Sequence, residues 1–264
     1  MQYGFSIKRK CYLLSVLLMT VWLTGCVQEE FESTPSPAGN GIRFTLTVPD
    51  VNLPSVSSRT MTGTGTAKKE DEIETVDILV FDMSKTPAVF LEWVSATGVT
   101  QDLADNSTVS FSAVLSPTTA STCIVVVANK ELDNIVSGFT KGATTKVEAM
   151  EKMLHTQTGK WLADGSTTGG YTRIPMYGEK VISKITPSMN PITEINMKRM
   201  LARIDIRNNS ATSNFTVEEV YLANYNTTGY IAPAWNTNGQ VTDPVPDTPV
   251  LPAGSGKKTE EGDA

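Results

Sequence analysis

Cys123-Ile124-Val125-Val126-Val127-Ala128 is an apolar run without a polar break in a chain of 264 residues. A strand with one face in water alternates apolar and polar side chains, so a strand lacking that alternation must be covered on both faces. Val76-Asp77-Ile78-Leu79-Val80-Phe81 has nearly the same character and the same richness in Val and Ile. The two runs therefore predict central strands.

Outward from them, Ile42-Arg43-Phe44-Thr45-Leu46-Thr47-Val48 alternates apolar and polar residues, the period of a half-buried strand, and Pro49 ends it. Further strands are expected at Val89 to Val94, Thr108 to Leu115, Glu194 to Met197, Met200 to Arg207 and Phe215 to Asn224. Thr62-Gly63-Thr64-Gly65, Ser116-Pro117 and Asn208-Asn209 supply turn residues between strands. One segment departs from period two. Val147, Met150 and Leu154 follow a helical stripe, Thr145 and Glu148 fit a capping box, and Gly159 offers a stop. This predicts a helix of about three turns over that stretch. Strands with one such helix imply a mainly β protein, a β-sandwich with a short helical insertion.

The two ends read differently. Lys8, Arg9 and Lys10 precede an apolar stretch from Tyr12 to Leu23, which Leu23-Thr24-Gly25-Cys26 closes. At about 1.5 Å per residue the stretch is too short to span a bilayer, so it reads as a cleaved signal. The Leu-Thr-Gly-Cys sequence places cleavage between Gly25 and Cys26 and makes Cys26 the acylated first residue of a bacterial lipoprotein; the other reading is an ordinary signal peptide with an incidental cysteine. Residues 26–41 then form an acidic tether, Gln28-Glu29-Glu30-Phe31-Glu32 followed by a Pro/Ser/Gly stretch. Such a cluster resembles the signal that sends Bacteroidetes lipoproteins to the outer face of the outer membrane, and it equally suits a solvated linker. After Tyr230 the chain turns polar, and residues 231–264 are expected to be a tail, with Gly254 to Ala264 disordered. The division is thus a signal peptide over 1–25, a tether over 26–41, a sandwich domain over 42–230 and a tail.

Loss of the leader lowers the Lys+Arg count from 22 to 19 against 28 Asp+Glu, a net charge of −9. That balance argues against nucleic acid as a partner. With Cys11 removed and Cys26 acylated, Cys123 stands alone and no intramolecular disulfide is expected.

The residues give little sign of chemistry. His155 is the only histidine, on the predicted helix, so neither a metal site nor a Ser-His-Asp arrangement is expected. Gly63-Thr64-Gly65 and Gly169-Gly170 lack the context of phosphate loops and read as turns. Glu70-Asp71 and Glu218-Glu219 are adjacent, which in strands sends their side chains to opposite faces, away from paired acid/base work. Trp93, Trp161, Tyr171, Tyr177, Tyr221, Tyr225 and Tyr230 suit a carbohydrate platform or sandwich packing, and packing is the favoured reading. No cofactor and no enzymatic activity are expected.

Four segments together resemble the N-terminal domain of the fimbrillins, the fimbrial subunits of Bacteroidia type V pili. They are Ile73 to Asp82, Cys123 to Lys130, Ile174 to Glu179 and Arg199 to Ile206, in that order over about 130 residues behind the lipoprotein signal. The resemblance implies a transthyretin-like β-sandwich of about seven strands. It also implies export as a lipoprotein, proteolytic removal of the first strand at the outer surface, and filling of the resulting groove by a strand from the next subunit. The matching first strand is Ile42, Phe44, Leu46 and Val48 with their neighbours, and the matching protease site is Arg59-Thr60 in the connection Asn52 to Gly65. Arg43 is the second candidate, inside the strand where a protease cannot readily bind it. The family's second sandwich and C-terminal donor strand have no counterpart after Tyr230, which points to a terminal or accessory subunit or to a shortened form of a longer one. The resemblance implies other fimbrial subunits and the outer membrane as partners, in a surface fimbrium. The alternative is a lipid-anchored binding module, an adhesin for a glycan or a protein.

Overall fold

A computed structural model describes residues 42–48, 71–101, 108–157, 173–201, 218–242, 250–255 and 257–262. Its elements in chain order are β1 (Ile42–Thr47), β2 (Val76–Asp82), β3 (Val89–Ser95), β4 (Thr97–Gln101), β5 (Thr108–Ala113), β6 (Thr122–Ala128), α1 (Asp133–Val136), α2 (Lys146–Lys152), β7 (Leu154–Thr156), β8 (Met176–Ile182), β9 (Ile192–Asn196), β10 (Lys198–Arg199), β11 (Val220–Asn226), β12 (Thr228–Tyr230) and β13 (Lys257–Gly262). The protein is mainly β, as its strand periodicity predicts.

The two apolar runs become β2 and β6, antiparallel neighbours paired from Val76↔Ala128 to Asp82↔Thr122. They lie inside a five-stranded sheet of order β10-β8-β6-β2-β3. Every residue of β6 is buried, so both faces are covered. One face, carrying Ile78, Val80, Ile124 and Val126, shares a core with Phe44, Leu46, Phe111 and Ile195 of a second sheet of order β4-β5-β1-β9. The other face, carrying Leu79, Phe81, Cys123, Val125 and Val127, packs against Leu132, Ala149, Met150 and Met153 and against Ile231 and Ala232. The continuous apolar pattern thus follows from a middle layer, with a sheet on one side and helical and irregular chain on the other. Each such side chain contributes about 1.5–3 kcal/mol on burial.

The helix starts where the sequence places it. Thr145 caps α2, its hydroxyl accepting from the Glu148 N–H while the Glu148 carboxylate accepts from the Thr145 N–H. It stops earlier than the predicted three turns. After Lys152 the chain extends into β7, paired antiparallel with β12 at Leu154↔Tyr230 and His155↔Gly229, and the Ile231 N–H donates to the Met153 carbonyl. Cross-strand hydrogen bonds to a segment some 75 residues later replace the last helical turn, a partner that local periodicity does not reveal. His155 therefore sits on a strand.

The boundary expected at Tyr230 also differs. Ile231 and Ala232 are buried, Trp235 bridges to Val241, and the Tyr230 and Trp235 rings meet edge to face at 4.9 Å. Lys257–Gly262, inside the stretch expected to be disordered, is β13, paired antiparallel with β11. Turns and short bridges hold this chain to the domain, and neither carries an apolar period. Of the strands expected over Met200 to Arg207 and Phe215 to Asn224, Met200 and Leu201 are described and lie after β10 outside any strand, residues 202–207 and 215–217 fall outside the described residues, and Val220 to Asn224 lie in β11.

Lys146 is fully buried at the start of α2, its ammonium 2.6 Å from Glu179 Oε2 on β8. The Tyr177 hydroxyl donates to the same oxygen at 2.5 Å, and the Val241 N–H donates to Oε1 at 3.2 Å. Burial holds the Tyr177 phenol well above its usual pKa, so it remains the proton donor. A buried ion pair adds little net stability, but removing one partner strands a charge at a cost of about 3–5 kcal/mol. Glu179→Gln should therefore lower stability by about that amount in denaturant titration. The double variant Lys146→Met, Glu179→Gln should recover a large part of the loss. A double-variant loss equal to the sum of the separate Lys146→Met and Glu179→Gln losses would show that the pair is not coupled.

Gly178 is where β8 passes under the β9–β10 connection. A Cβ there would lie 2.7 Å from Met197 Sδ, 2.9 Å from Ile195 Cγ2 and 3.2 Å from the Asn196 carbonyl oxygen. Gly178→Ala should therefore destabilise the domain by about 1–3 kcal/mol, the usual result of overpacking a filled core. An unchanged melting temperature would show that the close approach is absent.

Candidate functional site: the slot filled by the first strand

β1 lies in the middle of its sheet. On one side it pairs antiparallel with β5 in unbroken register from Ile42↔Ala113 to Thr47↔Thr108. On the other it pairs parallel with β9 at Phe44↔Ile192, Leu46↔Ile195 and Thr47↔Asn196. Its alternation puts Ile42, Phe44, Leu46 and Val48 into the core, none more than 4% exposed. The Phe44 ring stacks on Phe111 with centroids 5.0 Å apart and planes 7° from parallel.

The β9 side is irregular. Between the partners of Phe44 and Leu46, β9 carries one residue more than β1, and Glu194 takes a φ of 61°. This bulge lets Ile192 and Ile195, three residues apart, both reach the core. Pro191, lacking an N–H, precedes the first residue of that ladder. Lys180 of β8 donates to the Thr193 carbonyl at 2.6 Å and stands 3.4 Å from the Glu194 carboxylate, which ties the bulge to the facing sheet.

β5 and β9 have no ladder with each other. Without β1 the sheet would divide into two edges of unpaired N–H and C=O groups over an apolar floor formed by Val109, Phe111, Ile192 and Ile195 with Ile78 and Ile124 beneath. Such a slot binds an extended strand through main-chain ladders and alternate side-chain pockets.

The structure brings Ile42, Phe44, Leu46 and Val48 together in this slot. Arg43 is half-buried within β1. Gly25, Cys26, Arg59 and Thr60 lie outside the described residues, as do Trp161 and Tyr171. Burial raises the Cys123 thiol to a pKa of about 11, so it stays protonated. His155 is half-buried beside Gln157 at 3.2 Å, and loss of solvent lowers its pKa. Tyr177 and Trp93 belong to the second core, and Tyr221 is exposed. Asp71 pairs with Arg199, while Glu72 and Glu74 pair with Arg173, so these acids brace the approach to β2. Among the described residues no group of three or more His, Cys, Asp or Glu is placed to hold a metal ion, and no helix is long and apolar enough to cross a membrane.

Sequence reasoning missed the β9 bulge and Asn129. The latter, at a φ of 57°, accepts from the Glu74 N–H and donates to the Glu72 and Ile174 carbonyls, tying together the starts of β2 and β8. An asparagine directly after an apolar strand was the available signal, since Asn tolerates the left-handed conformation.

Among solved structures the chain is similar to a fimbrial assembly protein from Parabacteroides distasonis ATCC 8503, at 12% identity and a TM-score of 0.42, over 84% of this chain and 85% of that one. It is also similar to a candidate cell adhesion protein from the same organism, at 16% identity and a TM-score of 0.46, over 86% of this chain and 64% of that one. No curated protein matches. The sequence model of the fimbrillin-A associated anchor proteins Mfa1 and Mfa2 matches residues 34–263. This chain belongs to the fimbrillin-A associated anchor protein family.

Proposed function

We propose that this protein is a structural, non-enzymatic subunit of a surface fimbrium, exported as a lipoprotein acylated at Cys26 and joined to other subunits through the slot that β1 fills. The observation that carries this reading is the position of β1: the first strand of the domain completes the centre of a sheet whose flanking strands do not otherwise pair. Family membership supports the fimbrial setting.

The order of features along the chain gives the mechanism. Cys26 precedes β1, and Arg59 lies between β1 and β2. In the uncut chain the lipid is covalently continuous with the domain, which suits an anchor. A cut at Arg59-Thr60 leaves lipid and β1 on one fragment and the remaining sandwich on the other. The domain then stays at the membrane only through the burial of β1. Four apolar side chains at about 1.5–3 kcal/mol each give a gross contribution comparable with the stability of a whole domain, so the cut strand stays until a competing strand displaces it. Exchange would place the domain in the fibre and leave the lipid behind.

Two outcomes test the reading. Cys26→Ala should move the protein from the membrane fraction to the soluble fraction, because two or three acyl chains supply the attachment; unchanged fractionation would overturn the anchor. Limited digestion with an arginine-specific protease should cut at Arg59 before Arg203 or Arg207, and Arg59→Ala should abolish that first cut while export and acylation continue. Cleavage in the reverse order would overturn maturation at Arg59. Retention of the uncut monomer on a glycan array, without strand exchange, would favour the adhesin instead.

A further inference from the structure

We infer that Lys146 and Glu179 condense to an amide, a covalent link between α2 and β8. The inference goes beyond the fimbrial reading and does not depend on it.

The reacting groups are already paired. Lys146 Nζ stands 2.6 Å from Glu179 Oε2, and the lysine side chain has no exposed surface. Oε2 is one carbon–oxygen bond from Cδ, so the nitrogen lies at most about 4 Å from the carbon it attacks, near the reactive spacing of about 3–3.5 Å. The root of the lysine is also fixed, since its backbone N–H donates to the Ala88 carbonyl at 2.7 Å. The two oxygens of Glu179 differ. Oε1 accepts from the Val241 N–H at 3.2 Å, whereas Oε2 accepts from the Tyr177 hydroxyl at 2.5 Å and from the lysine. A backbone N–H on Oε1 suits the oxygen that carries negative charge in a tetrahedral adduct and stays as the amide carbonyl. Two donors on Oε2 suit the oxygen that leaves.

The step balances with these groups alone. One ammonium proton passes to Oε2 along the hydrogen bond, and the free amine bonds to Cδ. As the adduct collapses, the Cδ–Oε2 bond breaks, Tyr177 gives its proton to that oxygen and regains one from Nζ. One ammonium and one carboxylate become one amide and one water, and nothing is oxidised or reduced. Burial keeps the Tyr177 phenol protonated, as this role needs. The water leaves into a cavity of about 230 Å³ lined by Tyr177, Glu179, Asn196, Lys198 and Val241. Condensation removes two charges from the interior, and the desolvation cost of the ion pair goes with them. The Lys180–Glu194 pair on the same sheet shows the contrast: its groups are 3.4 Å apart and the carboxylate is 85% exposed, so it has neither the closeness nor the dryness.

The test is a peptide map of the mature full-length chain, denatured and digested with trypsin. An acylated Lys146 is not cut, so Gly142–Lys152 should appear joined to Ile174–Lys180 as one species. That species should be lighter by one water than the two peptides together, with fragmentation placing the link at Lys146 and Glu179. Separate Gly142–Lys146 and Ile174–Lys180 peptides from the native chain would overturn the bond, and this result requires no variant to fold. Tyr177→Phe keeps the ring in the core and removes the proton donor. It should slow accumulation of the joined species after synthesis by about a hundredfold. Accumulation at an unchanged rate would overturn the role of Tyr177 and leave the bond standing. Lys146→Arg, which keeps the charge without an amine, should yield no joined species; a joined species there would overturn Lys146 as the nucleophile.

Discussion

Ile42, Phe44, Leu46 and Val48 belong to a strand that precedes every other described strand, yet it lies between two that come much later, β5 and β9. The front sheet is continuous only through that strand. Its ladders satisfy the inner edges of both neighbours, and its side chains cover Ile78, Val80, Ile124 and Val126 of the facing sheet. A domain arranged this way makes its completeness depend on a segment linked to the rest by a connection of more than twenty residues. Loop-closure entropy grows slowly with length, so such a connection costs the intact chain little. Cutting it changes the strand from an intramolecular element to a bound ligand without altering a single contact in the slot.

The back of the domain has the opposite character. β2 and β6 bury both faces, and the second face needs a cover that a two-sheet sandwich does not provide. Leu132, Met150, Met153, Ile231 and Ala232 form it, drawn from α1's approach, α2 and the chain after β12. Lys146 is trapped in this cover: a Cβ added at Gly239, whose φ is 76°, would lie 3.1 Å from Lys146 Cβ. Glu179, Tyr177 and the Val241 N–H then fix the charge. Because the pair joins α2 to β8 and to the late chain, the back layer is tied to the sheet independently of β1. The two halves of the core are thus held by separate sets of contacts.

Much of this was legible in the sequence, and the physical reason is periodicity. β1, β2, β3, β5 and β6 carry their burial in their own residues, and the cap of α2 is spelled by Thr145 and Glu148. What escaped was set by distant partners. β7 replaces a helical turn because β12 lies beside it; β8 is interrupted as a pattern by Gly178 and Glu179, whose places are dictated by Met197 and Lys146; β9 shifts to Ile192 because of its bulge. The chain after Tyr230 is held by isolated bridges and one polar strand, which leave no apolar signature. For the slot, the four inward side chains were readable from alternation, while the inequality of its two edges was not, since a bulge and a proline matter there only through the neighbour they face.

Under the exchange proposed above, the arrangement would also bear on which strand is selected. A strand that replaced β1 would form the ladders that β1 gave up, so the main-chain hydrogen bonds would largely cancel between the two states. Association entropy cancels too once β1 is a separate fragment, because one strand leaves as another arrives. The remaining free-energy difference lies in side-chain fit, and there the pockets are unequal. Those beneath Ile42, Leu46 and Val48 are aliphatic and accept neighbours of similar volume at a cost of less than about 1.5 kcal/mol. The pocket over Phe111 and the bulged edge at Glu194 are less forgiving, the first in shape and the second in backbone direction. Selection among competing strands would therefore be concentrated at two places in a slot whose stability is spread over all of it.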